Sequence, residues 1–373
     1  MSPEALAGIV GGLVLLVLGG EVLVRGAGNI ALAAGLSPLV VGLTVVSSAT
    51  SAPEFAVTMD AVLADLPGLA IGDLVGSNIA NVLLVLGTTA ALATVVVDRQ
   101  LLRFDVPILI GISVLATFFA FGGAVQRWQG GVLFLALLVY LVAAFRTRGR
   151  VPSEPGELTL GPVDISRWPK SRVVAASVVL VVFGVGLLVV GAGVLVAGAE
   201  SIAVSLGISD VVIGITVVAV GTSLPELATS VVAVRRGKTD LAVGNVVGSC
   251  IFNLGGVLGL AAVLVPGGIP VAPGAAYFDF FVMTGVAVLL LPVAYVRSRI
   301  SRIEGALFLI GYVVYLLFLL LRTQEHDALQ PFSYLVVLVL VPVIVVVLAI
   351  QVIAEWRYRA GHPHRDTVAN EQE

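Results

Sequence analysis

Eleven apolar stretches, each near the length needed to cross a bilayer, follow one another along this chain. They lie near 5–27, 38–64, 69–97, 104–123, 131–145, 174–203, 210–234, 241–265, 277–296, 303–321 and 332–354. About 20 apolar residues span the hydrocarbon core. The chain has little polar surface to offer water: of 373 residues, 59% are hydrophobic and 12% charged, against about 25% charged in an ordinary soluble domain. In lipid each spanning segment must satisfy its own backbone hydrogen bonds, which makes the spans helices. The chain therefore reads as an all-α polytopic membrane protein with ten to twelve spans, the uncertainty lying in the short fifth stretch and in long ones that a proline can break.

The basic residues order these spans across the membrane. With the N-terminus outside, 18 of the 20 Lys and Arg fall in loops on the cytoplasmic side, and only Arg127 and Arg322 fall outside. Lys and Arg, rather than net charge, set topology, so the reading is N-out and C-in, in a cell (inner) membrane. The N-terminus, Met1-Ser2-Pro3-Glu4, lacks the basic region of a cleavable signal, so the first stretch is read as a retained helix. Residues 147–172, rich in Pro, Gly and basic side chains, read as a cytoplasmic linker dividing five helices (1–146) from five more (173–322). An additional helix at 332–354 and a cytoplasmic tail at 355–373 follow. One cysteine, Cys250, allows no disulfide. A net charge of −3 gives no ground for a nucleic-acid partner, and no protein partner or prosthetic group is implied.

Residues 35–87 align without gaps on 207–259, at an offset of 172, with 25 identities in 53 positions. Val22-Leu23-Val24 and Gly26-Ala27 recur at the same offset, so the unit includes the preceding helix. A five-helix unit is odd, and its second copy enters the membrane from the opposite side. The expected architecture is thus two inverted five-helix repeats, a common plan for secondary transporters, plus the extra C-terminal helix.

The matched residues are polar and lie in the membrane. An ionised side chain near the bilayer centre costs several kcal/mol, so Glu54 and Glu226 need a compensating partner. No Lys or Arg lies in the interior of the matched helices, which leaves a bound cation. Each Glu follows Thr-Ser-x-Pro: Thr50, Ser51 and Pro53, then Thr222, Ser223 and Pro225. Thr50 and Glu54, four apart, share a helical face, as do Thr222 and Glu226. Pro53 and Pro225 cannot donate, which frees carbonyls near Ala49 and Gly221 and breaks the helix there. Ser77 and Asn81 are again four apart, as are Ser249 and Asn253. Asp73 and Asn245, one turn earlier, are secondary candidates, and Gly76 and Gly248 allow close helix approach. Carboxylates, hydroxyls, amides and carbonyls form an all-oxygen set suited to hard cations such as Ca2+ and Na+.

These residues resemble the sodium/calcium exchanger branch of the cation/calcium antiporter superfamily, of the prokaryotic type with two alpha repeats. Its repeats carry G-T-S-x-P-E followed by G-N-x-x-G-S-x-I-x-N. The resemblance implies ten core helices, with Glu54 and Glu226 shared by Ca2+ and Na+. It further implies that Thr50, Ser51, Ser77, Asn81, Thr222, Ser223, Ser249 and Asn253 line the sites, and that the first and sixth helices slide as a gating pair. This chain departs from the pattern in three places. Ala49 replaces the motif Gly that Gly221 keeps, Asp73 replaces the motif Asn that Asn245 keeps, and Asn253 stands where several relatives have Asp. In potassium-dependent relatives that Asp is linked to K+, so Asn253 argues against K+ cotransport.

The expected function is Na+/Ca2+ exchange by alternating access at a site with two Glu, with no enzymatic activity. A Ca2+/H+ exchanger is the first alternative, opposed by the Ser and Asn set. An intramembrane hydrolase is the remote one: Ala70-Ile71-Gly72-Asp73 falls short of G-x-G-D, and no intramembrane Ser-His pair is present. Glu21 and Arg25 read as a structural pair, while Asp60, Asp65, Asp279 and Glu304 read as solvated at helix ends.

Overall fold

The computed structural model describes residues 3–148, 159–160, 163–164, 168–205, 219–323, 328–336, 338 and 341–361. Nine helices among the described residues are long and apolar enough to cross a membrane. In chain order the main helices are α1 (Glu4–Ala34), α2 (Leu39–Leu63), α3 (Pro67–Leu92), α4 (Leu101–Ala120), α5 (Arg127–Arg146) and α6 (Lys170–Gly198). They continue with α7 (Leu224–Arg235), α8 (Thr239–Leu264), α9 (Ala275–Tyr295), α10 (Arg302–Arg322) and α11 (Val341–Gly361). The stretch expected at 210–234 begins outside the described residues and appears as a short helix, Ala219–Thr222, followed by α7. Of the stretch expected at 332–354 the structure describes the helix Leu329–Leu335 and α11, and α11 continues to Gly361, into the segment read as tail. Residues 159–164 of the expected linker hold a two-residue antiparallel pairing, Thr159 with Asp164 and Leu160 with Val163. His326, His362 and His364 lie outside the described residues.

The elements repeat as the sequence does. Ala52–Leu63 in α2 matches Leu224–Arg235, and Pro67–Ala80 in α3 matches Thr239–Phe252 in α8. The wide π turns Asn81–Leu86 and Asn253–Leu258 also match, each pair 172 apart. Two small strand pairs join the halves crosswise. β1 (Val95–Val96), after α3, pairs with Arg299–Ile300, before α10, whereas Ala124–Val125, before α5, pairs with Ile269–Pro270, after α8. Since α4 runs from the first pairing to the second, the two lie at opposite ends of the bundle.

The helices α1 and α6 pack antiparallel along glycines. A Cβ placed on Gly12 would meet Gly191 O at 2.8 Å and Leu195 N at 2.7 Å, and one on Gly19 would meet Gly184 O at 2.9 Å. The converse holds for Gly184 and Gly191, at 3.0 Å from Gly19 O and 2.9 Å from Leu16 N. Only backbone-to-backbone contact fits there, as in small-residue seams of membrane helices. The outer face of α1, including Val10, Leu13 and Val17, is exposed and apolar, as a lipid-facing stripe requires.

Polar ties hold the scaffold. Buried Asp105, at the start of α4, accepts from Tyr140 Oη at 2.9 Å. Its counterpart Asp279, expected to be solvated, accepts instead from Tyr315 Oη at 3.5 Å. Glu304 is likewise engaged rather than free: its carboxylate accepts from Ser301 N at 2.6 Å, while Glu304 N donates to Ser301 Oγ at 3.4 Å, a capping box for α10. Glu21 has Arg25 at 3.7 Å, but its closer partner is Arg236, whose Nε donates to Oε2 at 3.0 Å and whose Nη2 contacts Oε1. The sequence spacing pointed only to Arg25, because Arg236 arrives from the end of α7. Both side chains are partly exposed, so the pair contributes only about 0–1 kcal/mol.

Candidate cation site

The two halves break their helices at equivalent residues. Ser51 (φ −82°, ψ 3°) and Ser223 (φ −89°, ψ 4°) leave the helical region between short and long helical segments. The cause is local: Pro53 and Pro225 occupy the second position of the following helix and carry no N–H to donate to the carbonyls of Ala49 and Gly221. Glu54 and Glu226 then fall in the first turn after the break.

Both glutamates are fully buried, and among the described residues none of their four carboxylate oxygens has a partner at hydrogen-bond geometry. Ser51 Oγ, Ser223 Oγ and both side-chain polar atoms of Asn81 and of Asn253 share that condition. Buried polar atoms are nearly always paired, and here the orphans are the same residues in both copies. Each half also reaches into the other. Thr50 Oγ1 lies 3.4 Å from Ser249 Oγ, and its counterpart Thr222 Oγ1 lies 3.5 Å from Ser77 Oγ. Glu54 and Glu226 are near enough for each to feel the other's charge. Thus Thr50 meets Ser249 and Thr222 meets Ser77 across the halves, Glu54 and Glu226 lie near one another, and Ser51, Asn81, Ser223 and Asn253 are buried as well, with Thr222 itself partly buried. Ala49 and Gly221 stand one residue before Thr50 and Thr222. Asn81 and Asn253 each open a π turn, a helix defect that recurs at functional sites.

Asp73 and Asn245 part company. Asn245 is buried and hydrogen-bonded on both sides: Nδ2 donates to Ser230 Oγ at 3.0 Å, and Oδ1 accepts from Thr50 Oγ1 at 3.2 Å. Asp73 is partly exposed and accepts from Thr58 Oγ1 at 3.5 Å. Thr58 and Ser230, matched at the same offset, escaped the sequence reading although both copies keep a hydroxyl there. Asn78 was also missed; it is buried with Oδ1 unpaired, and its counterpart is Cys250, whose Sγ lies 3.7 Å from Asn78 O. Since Cys250 is buried in α8, a membrane-permeant maleimide is expected to label the protein only after unfolding in detergent. Rapid labelling of the folded protein would show that α8 is not packed as described.

A helical membrane protein whose two antiparallel copies close on one buried acidic site, lined by oxygen, belongs to the inverted-repeat secondary transporters. The family follows from comparison with known proteins. The sodium/calcium exchanger protein family model matches residues 4–146 and 176–321, and the chain belongs to that family. It is a cation/calcium antiporter of the membrane and not an enzyme, which removes the hydrolase alternative. Among its relatives is the putative antiporter CaxA of Alkalimonas amylolytica, 36% identical over 307 residues, covering 82% of this chain and 95% of that protein. The sodium/calcium exchanger MaX1 of Methanosarcina acetivorans is 32% identical over 338 residues, covering 83% and 96%. Among solved structures, the sodium-calcium exchanger NCX_Mj, soaked with 10 mM Na+ and zero Ca2+, matches with TM-score 0.71 and 31% identity, over 84% of this chain and 98% of that one.

Proposed function

We propose that the protein exchanges Na+ for Ca2+ by alternating access, with Glu54 and Glu226 as shared cation ligands. Thr50, Ser51, Ser77, Asn81, Thr222, Ser223, Ser249 and Asn253, and the carbonyls of Ala49 and Gly221, complete the coordination. The observation that carries this reading is the pair of fully buried carboxylates, one from each copy, whose oxygens have no hydrogen-bond partner among the described residues. One Ca2+ balances their two charges, and Na+ ions compete for the same oxygens. Empty, the two carboxylates are too costly to carry through a closed, dry intermediate, which ties movement in one direction to a return load. The glycine seam between α1 and α6, which holds them backbone to backbone, suits these two helices to slide as the gate.

Sodium, rather than protons, is favoured by the hydroxyls and amides around the carboxylates, since a proton needs no such shell. The relatives named as sodium/calcium exchangers support the same choice. The basic residues place the N-terminus outside and the C-terminus inside, in a cell (inner) membrane.

The test is 45Ca2+ uptake into proteoliposomes. Uptake is expected to require an outward Na+ gradient, with a current accompanying it only if more than two Na+ exchange for each Ca2+. Uptake driven as well by a proton gradient without Na+ would assign the protein to Ca2+/H+ exchange.

A further inference from the structure

Identical positions in the two copies differ sharply in exposure along one helix face. In α3 the face 69, 73, 77, 81 grades from Leu69, 53% exposed, through partly exposed Asp73 to buried Ser77 and Asn81. The matched face of α8, Leu241, Asn245, Ser249 and Asn253, is buried throughout, Leu241 at 1%. There Gly244 and Gly248 lie against the backbone of α2 at Leu39 and Leu43. Among the described residues, one face therefore leads from the rim of α3 to the glutamates, and the other is shut. Asp73 stands on the open one. A charged group in a membrane helix faces protein or a water-filled cavity rather than lipid, and among the described residues no basic side chain pairs with this one.

We propose that Asp73 is an entry ligand for cations, serving one membrane face only. It captures a hydrated Na+ or Ca2+ ahead of Glu54. On the opposite face a neutral amide, Asn245, occupies the matched place. The proposal rests on the reading of Glu54 and Glu226 as the transport site. We treat Asp73 as a separate position from the two glutamates, as among the described residues no three acidic, His or Cys side chains form one metal group. Its charge reaches both glutamates, and Thr58 Oγ1 steers its carboxylate. Through Ser77, one turn on, the path meets Thr222 of the other half. The amide at Asn245 cannot play this part, because its donors and acceptor are already used within the protein. By the distribution of basic residues, the Asp73 face is the outer one.

The test compares wild type, Asp73→Asn and Asp73→Glu in right-side-out and inside-out membrane vesicles, varying Ca2+ on the exposed face. Asn is the residue the fold already accepts at the matched position. Asp73→Asn is expected to raise the apparent KM for Ca2+ about tenfold on the Asp73 face, the low end of what focused charge in a cleft adds to association. The effect should fall in KM rather than kcat, leave KM on the other face unchanged, and be reversed by Glu. A KM that is unchanged on both faces, or raised equally on both, would overturn the proposal. So would a loss of exchange as complete as that from losing a glutamate. The underlying reading fails separately: exchange that survives Glu54→Gln and Glu226→Gln would remove the site itself.

Discussion

Glu54→Gln is expected to abolish Na+-driven 45Ca2+ uptake, and Glu226→Gln to do the same. The amide keeps the size of the side chain and removes its charge. Breaking a buried charge pair costs about 3–5 kcal/mol, here a loss of more than about 100-fold in ion affinity. The losses should be alike, because the two residues occupy equivalent places after equivalent breaks and are equally buried and equally unpaired. Stability should move the other way. Without cations the wild type holds two mutually repelling carboxylates out of water, so each variant should melt above it in chelator and no longer gain stability from Ca2+. Thermal unfolding with and without Ca2+ reads both effects. Variants that still gain stability from Ca2+ would show that the ion binds elsewhere.

Gly248→Val is expected to disable the protein, and Gly76→Val, its counterpart in the other copy, to be tolerated by the fold. A Cβ at Gly248 would lie 2.7 Å from Leu43 O, 2.7 Å from Ser47 Oγ and 2.8 Å from Leu43 Cα. Backbone cannot step aside as a flexible side chain can, so α8 and α2 must part. Overpacking of this kind costs about 1–3 kcal/mol, sometimes more. It also separates Ser249 and Asn245 from Thr50, at present 3.4 and 3.2 Å apart. Gly76 is partly exposed, with no described atom within 4 Å of such a Cβ. Size-exclusion profiles and melting curves of the two variants should differ. Equal damage in both would mean that the two copies are packed alike.

That contrast marks how far the sequence can be read. Glu54, Glu226 and their hydroxyl and amide neighbours were legible because the chemistry is unusual in lipid and occurs twice at one offset. Helix breaks ahead of Pro53 and Pro225 were legible because proline acts on its own backbone, but they fall at Ser51 and Ser223, two residues beyond the expected Ala49 and Gly221, which stay helical. Arg236 on Glu21, Tyr140 on Asp105 and the crossed strand pairs were not, since they join residues far apart in the chain through no shared motif. The difference between Leu69 and Leu241 could not be read at all. The residue is the same and the place is the same, and among the described residues the packing of α8 against α2 separates them.

The crossed strand pairs carry one more consequence. Val95–Val96 binds Arg299–Ile300, and Ala124–Val125 binds Ile269–Pro270. Likewise Gly12 faces Gly191 as Gly184 faces Gly19. Each of these joins between the halves is made twice, with the partners exchanged, which is the signature of an isologous interface. The surface one half presents is the surface it needs to receive. The two halves are therefore complementary as two copies of one surface would be, one turned over in the bilayer relative to the other.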